Sequence, residues 1–304
     1  MAELIRKIDP ADIPEVKELL SAVFGDGDYA QIERLGGMTN RTYKVTRRDG
    51  QEYVTRLPGE GTEEMIVRAD ERKSTQLACD LGIDAELLYF DDAGRKVSRF
   101  IPDPQPMSEA VMRRDENLMQ AAHIFRRLHT CGRDTGVRFE VFEMADLYEG
   151  IIRRAGTAFY DDYDETRRAV MDIKARSDAE NDVRRVPCHN DSLMGNWVLS
   201  GNGQLYLVDW EYSGMNEAMW DLSCLSIEAD YTGREDELLL RTYFGRPLTD
   251  ADQHYLIAGK TYVDYLWTLW GLTRVPFDGD FMQQYADARY ERLRRNIALF
   301  KEQI

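Results

Sequence analysis

The hydrophobic periodicities of this 304-residue chain predict an α+β, bilobal architecture: a small N-terminal lobe built on an antiparallel sheet, then a larger, mainly helical lobe. Three observations lead there. Short alternating apolar runs, separated by turn residues, crowd the segment before residue 102. Helical patterns, with apolar residues three and four apart, dominate the chain after residue 108. Between them Ile101-Pro102-Asp103-Pro104 reads as a connector, because proline neither continues a helix nor donates to a strand ladder. The lobes are therefore expected at 1–102 and 103–304. The length itself favours two lobes over one, and a hydrophobic share of 43% is enough for packed cores.

Taken in order, residues 10–24 open with a helix, since Ile13, Val16, Leu19, Leu20 and Val23 fall on one face. Strands are expected at 31–35, 42–47 and 52–57. Asp49-Gly50 joins the last two, a dipeptide suited to the positive φ of a tight hairpin. Residues 62–80 read as a helix ended near Gly82, followed by strands 87–90 and 96–100 around Asp92-Ala93-Gly94. In the second lobe helices are expected at 108–130, 141–158 and 163–178. Short strands at 186–188, 196–199 and 205–208 interrupt them, with Asn202-Gly203 turning between the last two. Helices resume at 216–229, 235–243, 249–274 and 279–302. There is no internal repeat and no low-complexity segment.

Lys plus Arg number 39 against 55 Asp plus Glu, a formal net charge of −16. That balance argues against a nucleic-acid partner, which would need clustered cations. It is compatible with a small cationic substrate, although a solubilising surface accounts for most of these acids. Cys79, Cys131, Cys188 and Cys224 show no C-x-x-C spacing and no clustering with histidine, so neither a disulfide framework nor a zinc site is expected. Reduced thiols point to the cytoplasm. Residues 1–9 lack the apolar core of a signal peptide, and no run approaches the ~18 apolar residues of a membrane span. No feature of the sequence fixes an oligomeric state.

The chemistry concentrates in one stretch. Cys188-His189-Asn190-Asp191 is followed by Asn196, then by Val208-Asp209-Trp210-Glu211-Tyr212, and closes on Trp220-Asp221-Leu222. Two acids and an amide are thus delivered on loops between short apolar strands. In phosphotransferases the Asp of H-x-D-x-x-x-x-N takes the substrate hydroxyl proton, while the Asn and a later strand-end Asp hold Mg²⁺. Asp191 is the candidate base, a role that needs no strongly shifted pKa. Asn196 offers a neutral oxygen, and Asp209 follows the apolar strand Leu205 to Val208. Singly, each has a plainer reading: a helix cap, a turn residue, a solvated strand end. Their joint spacing selects the catalytic one.

A phosphate-holding loop is available at Leu35-Gly36-Gly37-Met38-Thr39-Asn40, where glycines let backbone N–H groups approach closely. It is neither a P-loop nor G-x-G-x-x-G, and an ordinary hairpin turn is the alternative. Tyr53-Val54-Thr55-Arg56 occupies the strand on which kinases place a lysine. Glu71, on the following helix, can pair with Arg56, or the two form an exposed pair of little value.

Further blocks make a resemblance specific: Arg56-Leu57-Pro58-Gly59, Gly61-Thr62-Glu63, Leu81-Gly82-Ile83-Asp84, Phe100-Ile101-Pro102, and Asp209 through Asn216 running on to Asp221. With them the chain resembles the choline/ethanolamine kinase family, in its bacterial choline kinase branch. That family lies within the group that includes aminoglycoside phosphotransferases. The resemblance spans about residues 32 to 290. It implies a protein-kinase-like fold, ATP with Mg²⁺, and phosphorylation of choline to phosphocholine. Asp191 would be the base, Asn196 and Asp209 the metal ligands, and Glu211 would assist the metal or order the loop. Asp221 would brace the catalytic loop. The phosphates would lie under Gly36, Gly37, Thr39 and Asn40. Adenine would lie against Leu35, Val54 and Val208 and meet the connector backbone at Phe100 and Ile101. Arg56 stands where many relatives have lysine, and a guanidinium can hold phosphate bidentately.

A quaternary ammonium is best held by aromatic faces. Trp267 and Trp270 are three apart on a helical pattern and share a face. The resemblance implies a choline cage drawn from this pair, Tyr212 and Glu228, with Tyr231 and Tyr285 as further aromatic candidates. Each ring also has a core-packing reading: Trp267 stands among Tyr262, Leu266 and Leu269, and Tyr285 can simply cover the last helix. His129 reads as a helix C-terminal residue and His189 as a loop brace. The rival acceptors are ethanolamine, another small amino alcohol or an aminoglycoside. A catalytically silent nucleotide-binding scaffold is the alternative outside enzymes, and the intact Asp191, Asn196 and Asp209 argue against it.

Overall fold

A computed structural model describes residues 9–35, 40–59, 66–181 and 183–302. In chain order the helices are α1 (Ile13–Phe24), α2 (Arg68–Asp80), α3 (Glu109–Met112), α4 (Asp115–His129), α5 (Val141–Ala155), α6 (Tyr163–Glu180), α7 (Ala218–Glu228), α8 (Gly233–Phe244), α9 (Asp250–Asp278) and α10 (Asp280–Glu302). The strands are β1 (Gln31–Arg34), β2 (Arg41–Thr46), β3 (Glu52–Leu57), β4 (Leu87–Phe90), β5 (Lys96–Arg99), β6 (Arg185–Cys188), β7 (Trp197–Leu199), β8 (Leu205–Leu207) and β9 (Gly214–Glu217).

The contacts group these elements into two compact units. The first runs to Met107 and includes Met194–Ser213; the second holds Ser108–Leu193 and the chain from Gly214 onward. The sequence suggests a single boundary at 102/103. Residues 103–107 and the β7–β8 hairpin group with the first unit because Gln105 N bonds to the Leu199 carbonyl (2.7 Å) and Leu207 N to the Ile83 carbonyl (3.1 Å).

In the first unit β1 to β5 form an antiparallel sheet in the order β1-β2-β3-β5-β4. Its packing follows from strand alternation. Tyr43, Val45, Tyr53, Leu57 and Val97 bury against Val16, Leu19 and Leu20 of α1. Val54 and Arg56 therefore point to the opposite face of β3.

The second unit is built around α9, which is buried along most of Leu256–Thr273 and packs with α5, α7 and α10. At Gly259 a Cβ would meet Ser223 Oγ and come within 3.1 Å of Ser223 Cβ, so glycine lets α7 pack closely here. Among the described residues no helix is long and apolar enough to cross a membrane.

Two expectations are corrected here. The single helix at 108–130 is broken into α3 and α4 at Arg113-Arg114, where Arg114 is extended (ψ 133°). The break is held by Ser108, which caps α3, and by Asn117 Nδ2, which donates to the Val111 carbonyl (2.8 Å). The helix expected from 216 starts at Ala218, because Gly214–Glu217 pair with β6 as a strand. That stretch has no β-branched residue, and tertiary pairing overrides its low strand propensity.

Candidate active site

In the first unit one hairpin brings two predicted metal ligands together. The register pairs Trp197 with Leu207, so Asn196 precedes β7 and Asp209 follows β8, both at the open end. Val208 N donates to the Asn196 carbonyl (2.9 Å) and closes that end. Asp209 adopts φ 68°, a left-handed conformation that aspartate tolerates better than most residues.

Arg56 and Glu71 are only 2% and 1% exposed and form a direct ion pair. This is not the exposed pair of little value; removing either partner would strand a buried charge. Arg56 Nη1 also reaches Asp209 Oδ1 (3.2 Å), and Nη2 donates to the Gly94 carbonyl (2.7 Å). Burial opposes the Arg56 charge, but Glu71, Asp209 and Glu211 together raise its pKa and keep it charged. Arg68, which the sequence reading passed over, bridges Glu71 (2.8 Å) and Glu211 (3.3 Å). Its spacing of three from Glu71 was the available signal. Asn40 Nδ2 donates to Glu211 (3.1 Å) and Asp209 (3.4 Å). Burial, then the nearby Asp209 charge, pushes the Glu211 carboxyl up to about 7.

The donor set fits Mg²⁺, which takes hard oxygen ligands and keeps several waters. The Asp209 side chain is 31% exposed, whereas Glu211, at 6%, is engaged by Asn40 and Arg68. That engagement suits Glu211 to ordering the loop.

Leu35, Val54 and Val208 are half-buried and Ile101 is buried. The Phe100 amide donates to the Glu52 carbonyl (3.2 Å). Gly36, Gly37, Met38 and Thr39, with Gly61, Thr62 and Glu63, lie outside the described residues. Tyr212 is buried and belongs to the first unit.

In the second unit the loop carrying Asp191 is braced from several sides. Asp221 is fully buried and accepts from the backbone N–H of His189 and of Asn190, both at 2.8 Å. His129, the last residue of α4, places Nε2 3.0 Å from the same carboxylate and Nδ1 2.9 Å from the Tyr243 hydroxyl. Because Asp221 can only accept, Nε2 carries the proton. Trp220 Nε1 donates to the Asn190 carbonyl (2.9 Å) and Asn216 Nδ2 to Asn190 Oδ1 (3.0 Å), which hold Asn190 at φ 70°. Asp191 N in turn donates to His189 Nδ1 (3.2 Å). His129, Cys188 and Asp221 bring donor atoms within 4.8 Å of one another. His129 and Asp221 are hydrogen-bonded within the brace, while the Cys188 thiol donates to the Glu217 carbonyl (3.5 Å) and burial raises its pKa.

Three of the predicted cage residues of this unit, Trp267, Trp270 and Tyr285, meet one another. Trp267 and Trp270 meet edge to face at 6.0 Å, and Trp270 meets Tyr285 the same way at 5.7 Å. Gly271 makes room for Tyr285, whose Cδ1 would lie 2.9 Å from a Cβ there. Burial raises the Tyr285 pKa; Arg289 opposes this, and the Glu228 and Asp191 charges reinforce it. Glu228 pairs with Arg289 (2.5 Å), a residue the sequence reading did not single out. Tyr231 donates its hydroxyl to the Met112 carbonyl (3.4 Å), which ties it to α3. Tyr148 of α5, also missed, is 1% exposed and its hydroxyl has no hydrogen-bond partner among the described residues. The Asp191 charge acts on that phenol as well.

Comparison with known proteins gives this geometry a family. The family model described as choline/ethanolamine kinase matches residues 32–241. The crystal structure of a choline/ethanolamine kinase family protein from Mesorhizobium loti is similar at TM-score 0.81 and 32% identity, covering 95% of this chain and 99% of that one. The choline kinase LicA from Streptococcus pneumoniae is similar at TM-score 0.80 and 30% identity, covering 94% and 98%. A structure of LicA in complex with AMP gives 0.79 and 30%, with coverage of 94% and 98%. With more than half of its length matched by the family model, this chain belongs to the choline/ethanolamine kinase family and is a phosphotransferase acting on an alcohol group.

Proposed function

We propose that this kinase transfers the γ-phosphoryl group of ATP to the hydroxyl of choline, giving phosphocholine and ADP, and that it works in the cytoplasm. Asp191 orients the choline hydroxyl and takes its proton as the new P–O bond forms and the bond to ADP breaks. Asn196 and Asp209 hold Mg²⁺, which when bound offsets charge on the phosphates. Arg56, kept in place by Glu71, faces the phosphates as a fixed cation. The Asp221 brace holds the Asp191 loop in one geometry, which matters because positioning supplies much of the catalysis in phosphoryl transfer.

The observation that carries this reading is the aromatic trio Trp267, Trp270 and Tyr285 standing beside Glu228, under the charge of Asp191. A nucleotide-binding scaffold needs no such trio. Each desolvated cation–π contact contributes roughly 0.5–2 kcal/mol, so several together change affinity by orders of magnitude. The test is phosphorus NMR of product formed with MgATP and a panel of choline, ethanolamine and an aminoglycoside. Phosphocholine is expected, and Asp191→Asn is expected to fold, bind ATP and lose nearly all turnover. Absence of phosphocholine, or undiminished turnover by that variant, sinks the proposal. Ethanolamine is the second reading, favoured by the description of the matched family, which names both amines.

A further inference from the structure

Glu228 looks, by position, like the counter-ion of the acceptor's ammonium group, yet one oxygen of its carboxylate is already paired with a guanidinium. Arg289 Nη2 lies 2.5 Å from Glu228 Oε1. The same guanidinium lies over the Tyr285 ring, 4.5 Å from its centroid, and Nη1 is 3.6 Å from Asp264 Oδ1. Asp264 is fully buried and is held by Arg292 (2.7 Å) and by Asn296 (3.1 Å). Two carboxylates are thus matched by two guanidiniums, and the cluster is internally neutral. Arg289 is 4% exposed, and its Nη1 has no hydrogen-bond partner among the described residues. A buried cation with an unsatisfied donor is costly to keep for stability alone. Helical spacing explains the stacking, because Tyr285 and Arg289 are four apart on α10.

The chemistry of the two amines then separates them. A primary ammonium carries three N–H donors, and on leaving water it needs acceptors to replace those bonds. A trimethylammonium carries none and is satisfied by aromatic faces. We infer that Arg289 sets acceptor specificity: by pairing with Glu228 Oε1 and stacking on Tyr285, it offsets the carboxylate's charge and leaves ring faces as the main binding groups, which selects a quaternary over a primary ammonium. The inference rests on the proposed amino-alcohol site and adds the residue that decides between the amines.

The test uses tetramethylammonium and methylammonium, which lack a hydroxyl and cannot be phosphorylated, titrated against the whole protein by tryptophan fluorescence. Wild type is expected to bind tetramethylammonium at least about tenfold more tightly, a difference of about 1.4 kcal/mol. Arg289→Met uncovers Glu228, and methylammonium is expected to gain about tenfold relative to tetramethylammonium. Arg289→Met combined with Glu228→Gln is expected to restore the wild-type ratio. Equal binding of the two cations by wild type overturns the inference, as does a ratio that Arg289→Met leaves unmoved. Should that single variant not fold, the double variant decides, since it removes the charged pair together. Tetramethylammonium bound within about threefold of wild type supports the inference, and loss beyond about tenfold assigns Glu228 to the ligand and overturns it. Because these readouts need no turnover, a selective site with no phosphocholine formed sinks the proposed activity alone. Phosphorylation of both amines with equal binding sinks only the role of Arg289.

Discussion

Replacing Asp221 by asparagine isolates the brace from the chemistry. The carboxylate is fully buried and accepts three donors, the backbone N–H groups of His189 and Asn190 at 2.8 Å and His129 Nε2 at 3.0 Å. Asparagine keeps the volume but turns one oxygen into an NH₂ group, so at least one buried N–H must face another donor. Leaving such a donor unsatisfied costs about 1–3 kcal/mol. The remaining bonds also lose their ionic character, which roughly halves their strength. The sum is about 3–5 kcal/mol, a large part of a typical net stability of about 5–15 kcal/mol. Asn190, held at φ 70°, is then free to relax, and Asp191 moves with it. A shift of about 1 Å at a reacting group lowers rate by about a hundredfold. The expected result is a urea transition weakened by about 3–5 kcal/mol and a kcat lowered about a hundredfold, with KM for ATP little changed because Arg56, Glu71 and Asp209 are untouched. Steady-state kinetics beside a denaturation curve measure both. A stability within about 1 kcal/mol of wild type, with kcat preserved, would refute the reasoning.

Three further outcomes are expected. Gly271→Ala places a Cβ 2.9 Å from Tyr285 Cδ1 and 3.1 Å from Ala286 Cβ, so the ring must move. KM for the acceptor should rise more than KM for ATP, and equal changes would show that Tyr285 lies outside the pocket. Tyr148→Phe removes a buried hydroxyl with no partner among the described residues, so thermal stability should hold or improve; a raised acceptor KM would show that the hydroxyl serves the ligand, and unchanged kinetics that it does not. Burial pushes the Asp84 carboxyl up from 3.8 to about 6. Its folded pKa exceeds the unfolded one, so the folded state binds more protons between those values and stability falls as pH rises through this window. Asp84→Asn should therefore outlast wild type above pH ~6 by up to roughly 3 kcal/mol, with the advantage gone below pH ~4. Urea melts at both ends that differ by the same amount would remove burial as the cause.

Legibility in the sequence followed range along the chain. Strand pairs joined by Asp49-Gly50 and Asn202-Gly203 were readable because side-chain alternation and turn chemistry act over a few residues. The same locality makes Asn196 and Asp209 readable together, since one hairpin register sets both. Strand β9 was hidden because its residues have no strand propensity of their own and pair only where β6 is supplied. The break at Arg113-Arg114 was hidden for a related reason: Asn117 stabilises it through one side-chain bond that no periodicity encodes.

By itself the sequence determined the α+β class, the order of most elements and the Asp191, Asn196 and Asp209 run, because spacing within a strand, turn or helix is a local geometric property. It also proposed Arg56 with Glu71 and Trp267 with Trp270, whose partners lie on one helix or on successive elements. Only the tertiary structure decided that Arg56 and Glu71 are buried, that His129 meets Asp221 across 92 residues, and that Arg289 meets Glu228 across 61. Such pairings are chosen by which helices and loops pack together. Burial then turns pairs that would be weak in water into charges that cannot be left alone.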